Sequence, residues 1–227
     1  MSSEPRLVEV RRNILKDNDV LARSMRTRFR AAGVVVVSLV SSPGSGKTML
    51  LERTLTMLRD KYRVAALVGD LATDNDAERL ARSQAPVRQI TTGTTCHLEA
   101  AMVEKSLGDW SLEDLDFLFI ENVGNLVCPA SYDLGESLRF VILSVTEGED
   151  KPLKYPTIFN SADVAIITKS DLAGATEFSW ETAENNIQAV RPGMKVIRLS
   201  AKTGEGMPEY LAFLEALQIE QGHTPPA

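Results

Sequence analysis

The stretch VVVVSLVSSPGSGKTMLLERTLTMLRDKY, Val34 to Tyr62, decides the fold. It opens with an unbroken apolar run, Val34 to Val40, of the β-branched kind shown by a central parallel strand covered on both faces. It closes with a helix-like segment beginning at Lys47. Between them lies SSPGSGKT, Ser41 to Thr48, a glycine-rich turn in the strand–loop–helix setting that a phosphate-binding loop requires. Gly44 and Gly46 let the chain bend so that successive N–H groups, through Ser45, Lys47, Thr48 and Met49, turn inward at phosphate oxygens. Lys47 reaches the β and γ phosphates, and Thr48 offers its hydroxyl to Mg²⁺. Ser41 stands where such loops usually start with glycine, so that corner must be turned without one.

Working outward, similar runs predict strands at Val64–Asp70, Val87–Ile90, Leu115–Glu121, Arg139–Val145, Val164–Thr168 and Lys195–Leu199, with helical stretches between most of them. That alternation predicts an α/β fold, a P-loop NTPase with a mostly parallel central sheet flanked by helices. Ahead of it, Leu7, Val10, Ile14, Leu21, Met25 and Phe29 recur at helical spacing among charges. Residues 1–32 are therefore expected to form an amphipathic helix packed on or near a 33–219 nucleotide domain. Its Arg23, Arg26, Arg28 and Arg30 read as a solvated face. Residues 220–227 read as a short flexible tail, in which His223 has no evident role.

The 227 residues carry 44% hydrophobic content, enough for one large core, with a net charge of −6 and a pI near 5.1. That acidity leaves no basic field for nucleic acid. No apolar run approaches the ~20 residues that span a bilayer, so a cytoplasmic protein with no membrane association is expected. Two cysteines, Cys96 and Cys128, make no disulfide framework.

Ligands of doubly wound sheets gather at the carboxyl ends of the strands. Asp70 closes VAALVGD and Glu121 closes LDFLFIE, and either can hold Mg²⁺ directly or through water. Asp74 and Asp76 follow in LATDNDAERL; Asp74 is the candidate for orienting the attacking water, although acids there also serve as helix caps.

VAIITKSD, Val164 to Asp171, delivers Lys169 and Asp171 at a strand end. Guanine presents N1–H and N2–H side by side and one carboxylate accepts both, which adenine cannot match. The lysine stem can lie along the purine. KVIRLSAK brings Ser200, Ala201 and Lys202, where a backbone N–H can meet guanine O6. These segments resemble the N-K-x-D and S-A-K base-reading motifs of GTPases, with Thr168 in place of the usual Asn, a change expected to remove an amide that braces the loop.

Cys96 and His97 adjoin in QITTGTTCHL, at the mouth of a helix expected to begin near His97, and Cys128 follows Glu121 in ENVGNLVCP. Thiolate and imidazole suit Zn²⁺ and Ni²⁺, and three ligands are one short of a closed tetrahedral shell. A symmetric dimer can complete it. Spacing alone leaves two buried structural cysteines as the alternative.

Together, SSPGSGKT, TTGTTCHL, ENVGNLVCPASYDLGE, VTEGEDKPLKYPTIFNSAD and SAKTGEG resemble the HypB-type nickel-incorporation GTPases of nickel–iron hydrogenase maturation, over nearly the whole chain from about Val34. The resemblance implies the GTPase branch shared with the signal-recognition and division-site-selection ATPases. It implies Ni²⁺ or Zn²⁺ held by Cys96, His97 and Cys128 at the interface of a GTP-dependent homodimer. GTP and GDP with Mg²⁺ are the implied cofactors; an accessory protein of the HypA type and, through it, the hydrogenase large subunit are the implied partners. Some members carry an additional cysteine-rich motif and a histidine-rich stretch; these 227 residues contain neither, so the metal role is expected to rest on the three residues above. Three rivals stay open: a urease-accessory nickel GTPase, which ENVGNLVCPASYDLGE disfavours, a nucleotide-gated metal-binding scaffold with negligible turnover, and an ATP-dependent kinase-like protein, in which Asp171→Asn would leave nucleotide choice unchanged. No arginine stands out as an internal finger, so unaided hydrolysis is expected near ~10⁻³ s⁻¹.

Overall fold

The computed structural model describes the backbone of residues 4–70 and 75–220, and the side chains of 13–70 and 76–220. Asp74 and His223 therefore lie outside the described residues. The elements are α1 (Glu4–Ala31), β1 (Val35–Ser41), α2 (Lys47–Leu58), β2 (Val64–Asp70), α3 (Asn75–Ala81), β3 (Val87–Thr91), α4 (Ala100–Leu107), β4 (Phe117–Glu121), β5 (Leu138–Ser144), α5 (Lys151–Lys154), α6 (Pro156–Ser161), β6 (Val164–Thr168), α7 (Trp180–Val190), β7 (Lys195–Arg198) and α8 (Met207–Glu220).

The strands form one seven-stranded sheet in the order β3-β2-β4-β1-β5-β6-β7. Every pairing is parallel, so the sheet expected to be mostly parallel is wholly so. The valine run sits at its centre, between β4 and β5, and is buried along its whole length. Strand alternation explains why both faces must be apolar. Val35, Val37 and Leu39 face α2 and α8 through Leu51, Leu55, Tyr210 and Leu214. Val34 and Val36 face α1 and α4 through Met25, Phe29, Val103 and Leu107. A third cluster, with Val141, Leu143, Phe159 and Ile187, fills the space under α6 and α7.

Helix α1 lies against this second face. Its buried stripe is Asn18, Ala22, Met25 and Phe29, whereas Ile14, expected on that stripe, is 46% exposed. The stripe is set by what it meets. Gly135 adopts φ +79°, and a Cβ there would stand 2.9 Å from the Ala22 carbonyl oxygen and 3.0 Å from Met25 Cβ. Arg26, expected on the solvated face, instead pairs with Asp133 at 2.5 Å and donates through Nε to the Glu136 carbonyl. Arg23, Arg28 and Arg30 are exposed as expected. Among the described residues no helix is long and apolar enough to cross a membrane.

Candidate functional site

A cleft of about 630 Å³ opens at the carboxyl ends of the central strands, the size of a small-molecule site. Gly44 at φ +75° and Gly46 at φ +90° make the turn from β1 into α2. Ser41 is still strand and needs no left-handed backbone, which is why its missing glycine does no harm. The residues expected to meet nucleotide, Gly44, Ser45, Gly46, Lys47, Thr48, Met49, Thr168, Lys169, Asp171, Ser200, Ala201 and Lys202, all line this one cleft.

Glu121 is the buried polar centre behind Lys47 and Thr48, which line this cleft. It is 1% exposed, accepts from Thr48 Oγ1 at 2.6 Å and pairs with Lys47 Nζ at 3.1 Å through the same oxygen, Oε1. Its Oε2 and the Ser45 hydroxyl are buried without a hydrogen-bond partner among the described residues. A buried carboxylate oxygen in that condition costs energy unless a cation or donor reaches it. A serine hydroxyl, a threonine hydroxyl and a carboxylate are hard donors that fit Mg²⁺. Asp70, at the end of β2, lines the same cleft.

The far end of the cleft is braced by side chains. Thr168 Oγ1 donates to the Ser45 carbonyl at 2.6 Å, so the threonine keeps a brace that the sequence reading expected to be lost. Lys169 sits in the left-handed region, φ +59°, and its Nζ donates to the Gly44 carbonyl at 2.7 Å, laying its stem across the loop. Ser200 Oγ donates to Asp171 Oδ1 at 2.6 Å, which aims a carboxylate that is itself exposed to the cleft. Gly206 holds the Ser200 turn closed; a Cβ there would fall 2.0 Å from the Arg198 carbonyl oxygen.

Cys96, His97 and Cys128 are brought together, with one ligand atom of each within 4.8 Å of the others. The Cys96 and Cys128 sulfurs are 2.7 Å apart and both cysteines are free. The contact with the Cys128 thiol, and then burial, push the Cys96 thiol pKa up. A cation among the sulfurs would reverse that, because thiolates are the metal-binding form. The expected helix start near His97 is displaced to Ala100. The physical reason is that side chains from elsewhere satisfy the amides ahead of it: Asn122 Oδ1 accepts from Leu98 N–H, and Asn18 Oδ1 from Ala100 N–H.

Several residues near these sites escaped the sequence reading. Arg79 lines the cleft with Asp76, three residues earlier on the same helix, a spacing that was visible. Arg79 pairs with Glu52 at 3.3 Å. Gly124 packs on the phosphate loop, Asn125 ties the two cysteine segments, and Tyr132 stacks on His97 at 3.9 Å between ring centroids. Nothing local in the sequence marks those three.

Residues 35–198 match the family model described as CobW/HypB/UreG, nucleotide-binding domain. The chain is 49% identical over 215 residues to the hydrogenase maturation factor HypB of Azotobacter vinelandii, covering 94% of this chain and 70% of that one. It is 42% identical over 211 residues to the hydrogenase/urease maturation factor HypB of Helicobacter pylori, covering 91% and 86%. Among solved structures it resembles HypB from Helicobacter pylori in complex with nickel, with a TM-score of 0.85 and 41% identity over 93% of this chain and 99% of that one.

Proposed function

This chain belongs to the CobW/HypB/UreG family and within it to the HypB hydrogenase maturation factors, and from that premise we propose that it is a GTP-hydrolysing metallochaperone that carries nickel or zinc and uses GTP-dependent dimerisation to support nickel insertion into nickel–iron hydrogenase. Segment 122–128 supports this reading most directly. It leaves Glu121 behind Lys47 and Thr48 and ends at Cys128. On the way Gly124 lies so close to Pro43 of the phosphate loop that a Cβ would meet its Cα at 3.1 Å. Asn122 holds Leu98 N–H, and Asn125 Nδ2 donates to the Cys96 carbonyl while its Oδ1 accepts from Val127 N–H. A movement of the phosphate loop therefore has a packed path to both cysteines.

In this reading the backbone of Gly44 to Met49 and the Lys47 ammonium take the phosphates. Bound Mg²⁺ supplies charge neutralisation at the β and γ oxygens; Thr48 and Glu121, with Asp70, are the residues that would hold it. Asp171, aimed by Ser200, accepts from guanine N1–H and N2–H. Thr168 and Lys169 set the loop beneath the base, and Ala201 and Lys202 offer backbone to O6. Asp74 is the candidate for positioning water. Residues 33–219 form the catalytic unit, and α1 buttresses it. Hydrolysis without a partner runs near ~10⁻³ s⁻¹.

A second copy of the chain completes the metal shell that Cys96, His97 and Cys128 leave open, and a HypA-type accessory protein takes the metal on toward the hydrogenase large subunit. The Helicobacter pylori relative is named a hydrogenase/urease factor, which favours urease as a second client. The testing experiment measures Ni²⁺ and Zn²⁺ binding by the wild type and by Cys96→Ala, His97→Ala and Cys128→Ala, each with GDP and with a non-hydrolysable GTP analogue. Stoichiometric metal lost in all three variants, with nucleotide-dependent affinity in the wild type, is the expected result. Metal binding indifferent to both would leave a P-loop GTPase with another client.

A further inference from the structure

Glu99 occupies the N-cap position of α4, yet its side chain makes no capping bond. The capping work is done from outside: Asn18 of α1 accepts from Ala100 N–H at 2.9 Å. Relieved of that task, the Glu99 carboxylate turns back to the imidazole of His97, where Oε1 lies 3.4 Å from Nε2. His97 is 9% exposed, and neither of its ring nitrogens makes a hydrogen bond among the described residues. Its ring plane is fixed by Tyr132, stacked at 3.9 Å and 28°. Among the described residues no carboxylate belongs to the group of ligand atoms formed by Cys96, His97 and Cys128, so Glu99 stands beside the histidine without joining both sulfurs.

Resting on the metal site of the proposed function, we propose that Glu99 is a positioning residue for His97: it holds the proton on Nε2, so that Nδ1 is the atom presented to the cargo metal. A neutral imidazole has one N–H and one lone pair. The side facing a carboxylate takes the N–H, which leaves the lone pair on the other nitrogen. The few tenths of an ångström between 3.4 Å and a hydrogen bond close when a cation on Nδ1 makes the Nε2–H more acidic and the carboxylate a better partner. Carboxylates behind metal-bound histidines orient the ring and raise its basicity, and losing one typically weakens metal binding 10- to 100-fold. Tyr132 holds the ring plane, and the Glu99 contact selects between the two nitrogens.

The sequence holds only two histidines, His97 and His223, which makes the test direct. Histidine labelled with ¹⁵N in a His223→Gln background gives one imidazole, and its nitrogen shifts with Zn²⁺ bound report which atom carries metal and which carries the proton. The expected result is zinc on Nδ1 and the proton on Nε2. Glu99→Ala should weaken Zn²⁺ binding about 10-fold or more, with partial recovery in Glu99→Gln and GDP affinity unchanged in both. Zinc on Nε2, or full zinc affinity in Glu99→Ala, overturns the inference while leaving the three-residue metal site intact. Failure of the wild type to bind zinc at all would instead bring down the metal reading and this inference with it.

Discussion

Thr168 Oγ1 donates to the Ser45 carbonyl oxygen at 2.6 Å, tying the last residue of β6 to the heart of the phosphate loop. Thr168 is 2% exposed. Thr168→Val keeps the shape and removes the donor, stranding a carbonyl at a cost of about 1–3 kcal/mol. The expected outcome is a lower unfolding midpoint together with GDP affinity reduced about 10-fold, read by denaturant titration and by fluorescent-nucleotide displacement. Unchanged values for both would mean that the loop holds itself.

In the proposed function Asp171 carries the guanine preference. Hydrogen bonds to a charged acceptor contribute about 1.5–3 kcal/mol, so Asp171→Asn should weaken GDP binding roughly 10- to 150-fold. Xanthine bears a carbonyl where guanine has its N2 amine, and an asparagine amide can donate to that carbonyl while accepting from N1–H. The variant should therefore gain xanthosine diphosphate binding as it loses GDP. Competition between the two nucleotides reads both changes; equal loss for each would point to collapse of the Ser200–Asp171 contact.

Most of the fold was readable because its elements announce themselves locally. All seven strands stand within two residues of where the sequence runs put them; for the five inner ones the reason is that a strand buried on both faces has little freedom of composition. The cleft residues were readable for the same reason: SSPGSGKT and VAIITKSD end buried strands. What escaped depends on tertiary neighbours. Ile14 has the right spacing and shares a face with Asn18, Met25 and Phe29, but among the described side chains of α1 the first buried one is Asn18, and Ile14 lies a turn short of the contacts with Gly135 and Asp133 that cover that face. The helix start at Ala100 is set by Asn18 and Asn122, 82 and 24 residues from the amides they satisfy. The proximity of Cys96 and Cys128 follows from β2, β3 and β4 being neighbours, which no spacing rule supplies.

The Arg26–Asp133 pair gives α1 a pH-dependent anchor. Burial alone would raise the Asp133 pKa, but hydrogen bonds from Arg26 and the Gly135 amide outweigh it and the net shift is downward. A carboxylate whose folded pKa lies below its unfolded value of about 3.9 contributes stability that is fully present above that value. The contribution is lost as pH falls through the lower, folded pKa. Both side chains are about one-third exposed (35% and 32%), so solvent screening keeps the contribution to about 1 kcal/mol or less. Asp133→Asn should be less stable than the wild type at pH 7, with the gap narrowing as the pH is taken from 5 toward 3. A gap independent of pH would assign the loss to packing.

Gly124 tests whether nucleotide and metal are coupled through the segment between Glu121 and Cys128. A Cβ at this position would meet Pro43 Cα at 3.1 Å and Pro43 N at 3.2 Å, and backbone atoms cannot swing aside as a side-chain end can. Gly124→Ala must push the phosphate loop and the segment leading to Cys128 apart by a few tenths of an ångström, a strain of about 1–3 kcal/mol. GDP affinity should fall about 10-fold. The informative readout is the ratio of Zn²⁺ affinities with and without nucleotide. By linkage that ratio equals the effect of zinc on nucleotide affinity, and it should move toward one when the contact with Pro43 is strained. If GDP affinity drops while the ratio keeps its wild-type value, coupling runs by another route, and the dimer interface of the proposed function becomes the place to look.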